Sequence, residues 1–492
     1  MNWSALSVDA GSAVPIYRQI CEQLAGWIRS GRLVDGARLP PTRELAGLLG
    51  LNRTTVAAAY EALENDGMLK AHVGRGSYVS AAAGSGPMEW EQRFRTSAPD
   101  RELYQVMQPG DGELVDFRSA RLEPTSSAVE ALQHAAQREL SEHGRAILAL
   151  GAAEGYPPLR DSLISRMRAA GVARDGDEVL VTSGCQQGLD LVAKILVRPG
   201  ERVLIEDPVY PGARDLFLAA GAEVSGARVG PEGISVPEVE QQLTRQRPRL
   251  LVVTPSFQNP TGATMPLEAR RELLRVAARF DVPVVENDVY AGLRYRGQET
   301  PSLKSLDRDG RVIYLRSFSK VAHPGLRVGW CVAPRAVARR LAAAKQLTDL
   351  HTDQLSQAVL YRMWTDGTLD QHLHEALGRG RARLEAAVEA CRREMPPGVE
   401  WLIPEGGMHL WLRLPAPLDA SELLVRARAE RVLFIPGRFF AVTRPQNDAL
   451  RLSFAGLEPE KIRRGVAGLA RLVREQAPAA SALSERGVPA LV

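Results

Sequence analysis

Five short, continuously apolar runs, each separated from the next by a longer stretch, are the feature that most constrains the fold of this 492-residue chain. The runs cover residues 178–182, 202–206, 250–254, 282–286 and 312–316. Strands that are apolar on both faces are typical of parallel sheets, because helices cover both faces of such sheets. The pattern therefore predicts an α/β domain with a mainly parallel sheet within residues 114–476.

Polar residues and glycines follow these runs, at the end of the sheet where ligands of such folds bind. The stretch at 183–188, after the first run, is expected to open a helix. The free backbone N–H groups at its start therefore suit a phosphate. After the second run, the aromatic side chain of Tyr210 suits stacking on a flat ring.

The third and fourth runs are followed by residues that suit the polar atoms of such a ring. Asn259 can donate a hydrogen bond to a phenolate oxygen. Asp288 supplies a carboxylate that can pair with a protonated pyridine nitrogen. Tyr290 follows two residues later and is expected on the same face of the strand.

The fifth run leads into a Ser-Phe-Ser-Lys sequence at 317–320, followed by Pro-Gly-Leu-Arg at 324–327. A lysine seven residues before an arginine, with hydroxyl side chains beside it, suits an amine that forms a Schiff base while the loop holds a phosphate. Ser317, Lys320 and Arg327 therefore complete one predicted cofactor site.

Residues 13–80 are predicted to form a separate unit. Apolar residues recur at helical spacing through 16–28, and a second helix is expected after Pro41. That second helix is expected to bury Leu45, Leu48 and Leu49. It should end at Gly50, because glycine adopts a left-handed cap at little cost.

A third helix is expected to begin after Asn52, which can cap it. Its apolar positions are Val56, Tyr60 and Leu63, and Tyr17, Trp27 and Tyr60 are interpreted as core aromatics of the unit. The polar and basic start of the helix then faces elsewhere. Residues 69–79 alternate and turn like a two-stranded wing, with Gly74 and Arg75 at the turn.

The rest of the composition bounds the class of protein. Residues 81–113 are predicted to be a linker and residues 477–492 a tail. The four cysteines are far apart and form no Cys-x-x-Cys pair, which predicts reduced thiols and neither a disulfide scaffold nor a metal site. The chain lacks a secretion signal and any long apolar run, which predicts a soluble, cytoplasmic protein with no membrane partner.

The strand-end motifs occur in the order found in fold type I, aspartate-aminotransferase-like pyridoxal phosphate domains. Residues 114–476 therefore resemble such a domain. Its large subdomain is expected over about 150–345 and its small α+β subdomain over about 346–476. Residues 13–80 resemble a GntR-type winged helix-turn-helix, so nearly the whole chain is similar to the MocR/GabR family of regulators. The resemblance implies pyridoxal 5'-phosphate as cofactor, double-stranded DNA as partner and a homodimer that is commonly head-to-tail.

The resemblance also implies a role for each residue at the strand ends. Lys320 would form the internal aldimine, Asp288 would hold the pyridinium, and Tyr290 would bond the ring oxygen; these three are the catalytic candidates. The other cofactor-binding candidates are Asn259 on the ring oxygen, Tyr210 stacked on the ring, and the amides of Cys185 and Gln186 with Ser317 and Arg327 on the phosphate. Arg451 matches the arginine that holds an amino acid carboxylate through two hydrogen bonds.

One position departs from the pattern of many fold type I enzymes. They carry a tyrosine five residues before the glycine that here is Gly155, where its hydroxyl reaches the phosphate of the neighbouring subunit. This chain has Leu150 there. The missing hydroxyl removes about 1 kcal/mol of net hydrogen bonding, so cofactor retention is expected to weaken without being lost.

For DNA, the resemblance points to the starts of the second and third helices and to the wing. The DNA-binding candidates are Arg43, Arg53, Thr54, Thr55, Gly74 and Arg75. Arginine can bind O6 and N7 of guanine, whereas threonine hydroxyls suit phosphates and thymine methyls.

The leading hypothesis is a pyridoxal phosphate-dependent transcription regulator that senses an amine or amino acid through aldimine exchange at Lys320. The alternative is a competent aminotransferase that carries a DNA-binding domain, and whether transamination turns over stays open. A third possibility is that the cofactor itself is the regulatory ligand. The sequence identifies neither the effector nor the operator.

Overall fold

The structure is a computed structural model that describes residues 3–9, 11–12, 14–72, 76–80, 106, 114–120 and 125–484. It divides into two compact units, Met1–Ser97 and Ala98–Val492. The two wing residues singled out above, Gly74 and Arg75, lie outside the described residues.

The first unit has three helices followed by a β-hairpin. Its elements are α1 (Ile16–Arg29), α2 (Thr42–Leu49), α3 (Arg53–Asn65), β1 (Leu69–His72) and β2 (Gly76–Val79). The two strands pair antiparallel. Ile20, Leu45 and Val56 bring one apolar residue from each helix into a common core. This is the arrangement expected for a winged helix-turn-helix.

Two side chains of this unit differ from the expectation. Leu48 is 58% exposed, because the buried stripe of α2 runs through Leu45, Ala46 and the partly buried Leu49, and Leu48 lies to one side of it. Tyr17 is 40% exposed, since it belongs to the first turn of α1, ahead of the buried residues of that helix.

Both predicted helix ends of this unit are confirmed. Gly50 has φ 67°, the left-handed conformation that glycine adopts at little cost. Asn52 caps α3, because its side-chain oxygen accepts the N–H of Thr54 at 3.1 Å. The cap leaves Arg53 and Thr54 exposed at the start of the helix.

Replacing Asn52 by alanine should remove this cap and destabilise the first turn of α3 by about 1 kcal/mol. Amide hydrogen exchange in α3 measures the effect, which should be roughly fivefold faster exchange at the start of the helix. Asn52→Asp keeps an accepting oxygen and should keep the wild-type rate. Equal protection in the alanine variant would show that the cap contributes nothing.

The second unit alternates strands and helices through its first two thirds. In chain order these are β3 (Val115–Asp116), α4 (Ser126–Ile147), α5 (Pro157–Ala169), β4 (Asp177–Thr182), α6 (Cys185–Leu196), β5 (Arg202–Asp207), α7 (Pro211–Ala219), β6 (Glu223–Gly230), β7 (Gly233–Ile234), α8 (Val236–Gln246), β8 (Leu250–Val253), α9 (Leu267–Arg279), β9 (Val284–Asn287), α10 (Leu303–Leu306), β10 (Val312–Ser317), β11 (Gly329–Pro334) and α11 (Arg335–Asp349).

Most of these strands form one sheet of eight, in the order β4-β11-β10-β9-β8-β5-β6-β7. Strands β5, β6, β8, β9 and β10 are parallel to their neighbours in this group, and β11 runs antiparallel to both β10 and β4. Every predicted apolar run overlaps one of these strands. The predicted mainly parallel α/β fold is therefore confirmed.

Helices cover both faces of this sheet, as the apolar runs predict. Val203 and Ile205 of β5 pack in the same cluster as Phe217 of α7. Leu204, between them in the sequence, packs with Leu273 of α9 in another cluster. Successive strand residues point to opposite faces, so a strand buried on both sides has no polar alternation.

The last third of the chain begins with a helix that packs with Leu159 and Val181 of the larger part and then forms a smaller α+β part of the same unit. Its elements are α12 (Gln354–Thr365), α13 (Thr368–Glu394), β12 (Glu400–Trp401), β13 (His409–Arg413), α14 (Ala420–Ala429), β14 (Val432–Leu433), β15 (Ile435–Pro436), β16 (Ala449–Ser453) and α15 (Pro459–Ser484). Its antiparallel sheet has the order β12-β13-β16-β15, and β14 pairs in parallel with β3. Among the described helices, none is both long and apolar enough to span a bilayer.

Candidate functional site

A cleft of about 340 Å³ lies in the second unit, where β4, β5, β8, β9 and β10 end. Nine of the ten predicted cofactor and substrate residues line it: Cys185, Gln186, Tyr210, Asn259, Tyr290, Ser317, Lys320, Arg327 and Arg451. The tenth, Asp288, is buried between two lining residues of the chain, Asn287 and Val289. The fold thus gathers residues that are up to 266 positions apart, from Cys185 to Arg451.

Lys320 ends a short 3-10 turn, Phe318–Lys320, that directly follows β10. The hydroxyl of Ser317 accepts the N–H of Ser319 at 3.1 Å and so caps this turn. The Lys320 Nζ donates to the carbonyl oxygen of Ala120 at 2.9 Å. The lysine amine is therefore held inside the cleft, partly buried, by a tight turn at the end of a central strand.

Asp288 follows β9 directly. Its backbone N–H donates to the carbonyl of Leu315 at 2.8 Å, and its Oδ2 accepts the hydroxyl of Tyr314 at 2.7 Å. The other carboxylate oxygen, Oδ1, is buried and has no hydrogen-bond partner among the described residues. A buried acceptor without a donor costs about 1–3 kcal/mol, so a ligand with an N–H group fits this position.

The expectation that Tyr290 shares a strand face with Asp288 is wrong. β9 ends at Asn287, where its pairing with Leu315 of β10 also ends, and the chain then turns. Tyr290 lies in that turn, buried, and its hydroxyl accepts from the Asn259 side-chain amide at 3.2 Å. Burial raises the pKa of Tyr290 to about 12, so its hydroxyl keeps its proton at neutral pH.

His409, the first residue of β13, also contacts this hydroxyl and is a site residue that the sequence interpretation missed. Its Nε2 lies 3.3 Å from the Tyr290 oxygen, and the two rings meet edge to face. Burial, together with the positive charges of Arg451 and Lys320, holds the pKa of His409 well below its usual range. The imidazole is therefore neutral beside the phenol.

Arg451, on β16, places a buried guanidinium against the cleft. Its Nη1 donates to the Asn259 side-chain oxygen at 3.0 Å and its Nη2 to the carbonyl of Arg118 at 2.7 Å. Its Nε is buried without a hydrogen-bond partner among the described residues. Burial lowers the pKa of Arg451 to about 10, partly offset by Tyr290, so the group is charged at neutral pH and suits a carboxylate.

The opposite end of the cleft combines a helix start with a guanidinium. Gly184, directly before α6, has φ 85°, and Arg327 Nη2 donates to the carbonyl of Ser183 at 3.1 Å. Arg327 Nη1 lies 3.3 Å from the hydroxyl of Ser319, which the sequence interpretation did not include. Free N–H groups at a helix start, a hydroxyl and a guanidinium together suit a phosphate.

The remaining predicted residues surround this end. The Ser317 hydroxyl donates to the carbonyl of Val328 at 3.0 Å, so it already supports the loop. Burial raises the pKa of the Cys185 thiol, which leaves its backbone N–H as its contribution. Gln186 donates through its side chain to the carbonyl of Gly212 at 2.8 Å, and Tyr210 lies over that glycine at the start of α7. The cleft thus fits a phosphorylated pyridine aldehyde.

The first unit carries the DNA candidates at two helix starts. Arg43 lies in the first turn of α2 and is exposed. Arg53 and Thr54 are exposed in the first turn of α3, and Thr55 is partly buried. Arg43, Arg53 and Thr54 therefore face solvent from a unit of helix-turn-helix shape, which suits contact with a DNA groove.

Two protein families match the chain. The family described as aminotransferase class I and II matches residues 117–469, and the family described as bacterial regulatory proteins, gntR family, matches residues 16–79. The two matches fall in the second and first units of the structure, respectively.

The chain is similar to transcription regulators over nearly its full length. A probable rhizopine catabolism regulatory protein of Rhizobium meliloti, MocR, is 32% identical over 477 residues, covering 94% of this chain and 95% of that protein. The HTH-type transcriptional regulator TauR of Rhodobacter capsulatus is 32% identical over 502 residues, covering 94% and 98%.

A solved enzyme matches the second unit. The crystal structure of LysN, an α-aminoadipate aminotransferase of Thermus thermophilus complexed with N-(5'-phosphopyridoxyl)-L-leucine, is similar with a TM-score of 0.72 and 36% identity. The match covers 80% of this chain and 100% of that chain. It confirms the predicted aminotransferase fold.

Proposed function

Because the chain belongs to the MocR-type regulators, in which a GntR-type DNA-binding domain is joined to a class I and II aminotransferase domain, we propose that it changes its DNA binding when an amine or amino acid enters the cleft. The protein is a pyridoxal phosphate-dependent, DNA-binding transcription regulator. The observation that carries the proposal is the cleft itself. It brings a lysine amine, a buried carboxylate with an open oxygen and a buried guanidinium together in a chain with a winged helix.

Pyridoxal phosphate, when bound, supplies an aldehyde that condenses reversibly with primary amines and a ring that accepts electron density. Asp288 is assigned to its ring nitrogen, and Tyr290 with Asn259 to its ring oxygen, because these groups are buried and hold the needed donors and acceptors. Lys320 holds the aldehyde position, for which an effector amine competes. The phosphate is assigned to Arg327, with Ser319 and the start of α6 beside it.

Arg451 is assigned to a carboxylate on the effector. Its guanidinium is buried, charged and only partly satisfied within the protein, and Asn259 orients it from one side. An amino acid carries both an amine and a carboxylate, so it would reach from Lys320 to Arg451. A simple amine would use Lys320 alone, so the proposal favours an amino acid.

Replacing Gly184 by alanine should weaken phosphate binding roughly 10- to 100-fold. The added Cβ would lie 2.7 Å from Arg327 Nη2 and must displace this guanidinium, whose charge-assisted hydrogen bonds contribute about 1.5–3 kcal/mol. Equilibrium dialysis of the purified protein against pyridoxal phosphate measures the affinity.

The matched control is Gly200→Ala. Gly200 has a similar φ of +83°, but nothing lies within 4 Å of an added Cβ. It therefore shares the positive φ without the clash. If both variants bind the cofactor equally, the proposed phosphate position is wrong.

We assign Arg43, Arg53, Thr54 and Thr55 to contacts with the DNA groove and its phosphates. Gly74 and Arg75 of the wing, which lie outside the described residues, are assigned to DNA contacts as well. A regulator works where the chromosome is, so the proposal places the protein in the cytoplasm. DNA sites for such units are usually repeated, which calls for two copies of the chain.

A homodimer is the proposed assembly. Leu148 and Leu150 are each 81% exposed, and Leu347 is 91% exposed. The Gln354 side chain donates to the carbonyl of Ile147 at 3.4 Å, which places the 148–150 segment beside the start of α12. Two strongly exposed leucines on one segment favour a second protein surface over solvent. Sedimentation velocity tests the assembly, and a monomer at micromolar concentration would exclude it.

The central experiment combines absorbance with DNA binding. An effector can change DNA affinity only if it binds two states of the protein differently. Visible spectra are recorded with a panel of amines and amino acids, and fluorescence anisotropy follows binding to DNA from upstream of the gene. One ligand that changes both signals without releasing a keto acid supports the regulator. Sustained keto acid production supports an aminotransferase, and a response to pyridoxal phosphate alone makes the cofactor the ligand.

A further inference from the structure

We propose that Tyr314 is a positioning residue that orients Asp288 toward the ring nitrogen of the cofactor, and that Arg316 acts on Asp288 through the Tyr314 hydroxyl. The inference rests on the proposed function, because it assigns a role toward the same cofactor. It concerns two residues of β10 that lie within an apolar run and outside the lining of the cleft.

The register of the sheet places these groups together. β9 and β10 are parallel, with Tyr314 beside Glu286 and Leu315 beside Asn287. Asp288 is the next residue after this pairing ends, and its N–H donates to the Leu315 carbonyl. The Tyr314 hydroxyl therefore reaches the Asp288 carboxylate across one strand spacing, at 2.7 Å, with both residues almost fully buried.

The direction of this hydrogen bond is determined by Arg316. Its Nη1 lies 3.3 Å from the Tyr314 oxygen, and a guanidinium has donors only. The phenol must therefore accept from Arg316 and use its single proton toward Asp288. Burial, reinforced by the neighbouring Asp288, raises the pKa of Tyr314 well above its usual range, so this proton stays in place.

The consequence for Asp288 is that its two oxygens are no longer equivalent. Oδ2 is taken by the phenol, whereas Oδ1 is buried with no hydrogen-bond partner among the described residues. The donated proton and the guanidinium behind it stabilise the charged carboxylate. A carboxylate held in this way offers one oriented oxygen to a ring N–H and favours the proton on the ring.

Tyr314→Phe tests this directly, because it removes one oxygen atom and keeps the ring. With cofactor containing ¹⁵N in its ring, we expect the ¹⁵N signal of the variant to move toward the value of an unprotonated pyridine. We also expect the pH midpoint of the visible absorbance of the holoprotein to rise by roughly 0.5–1 unit, as loss of one hydrogen bond implies. Cofactor affinity should fall about five- to tenfold.

The matched control is Tyr295→Phe. The Tyr295 hydroxyl is also buried and donates to the Gly407 carbonyl at 2.8 Å, but Tyr295 is not among the residues that line the cleft. It should lower thermal stability to a similar extent and leave the ¹⁵N signal and the absorbance midpoint unchanged. A merely structural role for Tyr314 would make the two variants behave alike.

Arg316→Gln provides a second variant if Tyr314→Phe folds poorly, because Arg316 retains some exposure whereas Tyr314 is fully buried. It should move the ¹⁵N signal and the midpoint in the same direction by a smaller amount. An unchanged ¹⁵N signal in both variants, in holoprotein with normal visible absorbance, overturns this inference alone. Absence of bound cofactor in the wild-type protein would instead overturn the proposed function.

Discussion

Replacing Lys320 by alanine abolishes the visible absorbance that the bound cofactor gives the purified protein, and with it the effect of the effector on DNA affinity. The expected loss is complete, because the chain offers one amine in the cleft, among its described lining residues, for the cofactor aldehyde. Couplings between two ligand sites are typically worth 1–3 kcal/mol, so a roughly 5- to 150-fold change in DNA affinity should disappear.

The measurement pairs absorbance spectra with anisotropy titrations on the same preparation. Lys194→Ala is the control, since Lys194 lies on the surface of α6, where it pairs with Asp190 at 2.7 Å, and does not line the cleft. It should keep both signals. DNA affinity without effector should be equal in all three proteins. Visible absorbance that persists in Lys320→Ala would place the cofactor on another lysine and refute the assignment.

Replacing Arg451 by alanine should weaken binding of an amino acid effector by about 30-fold to several thousand-fold. Truncating one partner of a buried, hydrogen-bonded charge pair costs about 2–5 kcal/mol. The same substitution should leave the affinity for the corresponding amine without a carboxylate much less changed. The comparison of an amino acid with its decarboxylated amine therefore separates loss of a binding group from general damage to the site.

Arg451→Lys and Arg413→Ala complete this test. Lysine keeps the charge but loses the planar pair of donors, so an intermediate loss is expected. Arg413 lies on the neighbouring strand β13, half-exposed and paired with Asp448 at 3.0 Å, and its removal should change nothing at the cleft. Equal losses for the amino acid and the amine would mean that Arg451 supports the cleft structure and does not bind the effector.

The parts of the fold that follow from local pattern were predictable. Apolar runs five residues long become strands because a sheet with two covered faces buries every side chain of its central strands. Gly50 and Asn52 end and begin helices because their own backbone and side-chain chemistry favours these positions. Such signals act over a few residues and are visible in a single sequence.

The predictions for Leu48 and Tyr290 were wrong because packing against a neighbouring element, and not the local pattern, decides which residues are buried and where a strand ends. Leu48 has the spacing of a core residue, yet α2 presents a neighbouring stripe to α3. Tyr290 has the two-residue spacing that would share a strand face with Asp288, yet β9 ends at Asn287, although β10 continues to Ser317 in its pairing with β11. The rotation of a helix and the last residue of a strand depend on the neighbouring element, which periodicity does not contain.

The cofactor-site residues were proposed from strand ends and family resemblance, whereas their supporting residues were missed. His409, Tyr314 and Arg118 contact Tyr290, Asp288 and Arg451, respectively, and the sequence interpretation gave none of the three a role at the site. No motif spacing connects them to the site residues, since each contact joins positions at least 26 residues apart in the chain. A tyrosine inside an apolar run, as at Tyr314, is a signal that could have indicated a buried hydroxyl with a partner.

By itself, the sequence determined the two kinds of domain, the order of strands and helices, and the residue types that meet a phosphate, a pyridine ring and a carboxylate, because each depends on local chemistry and on where parallel strands end. Only the tertiary structure decided which donor faces which acceptor: that Tyr314 donates to Asp288, that Arg451 is held by Asn259, and that Lys320 reaches Ala120. Hydrogen bonds form over about 3 Å and depend on angle, so they are settled by packing and not by position along the chain.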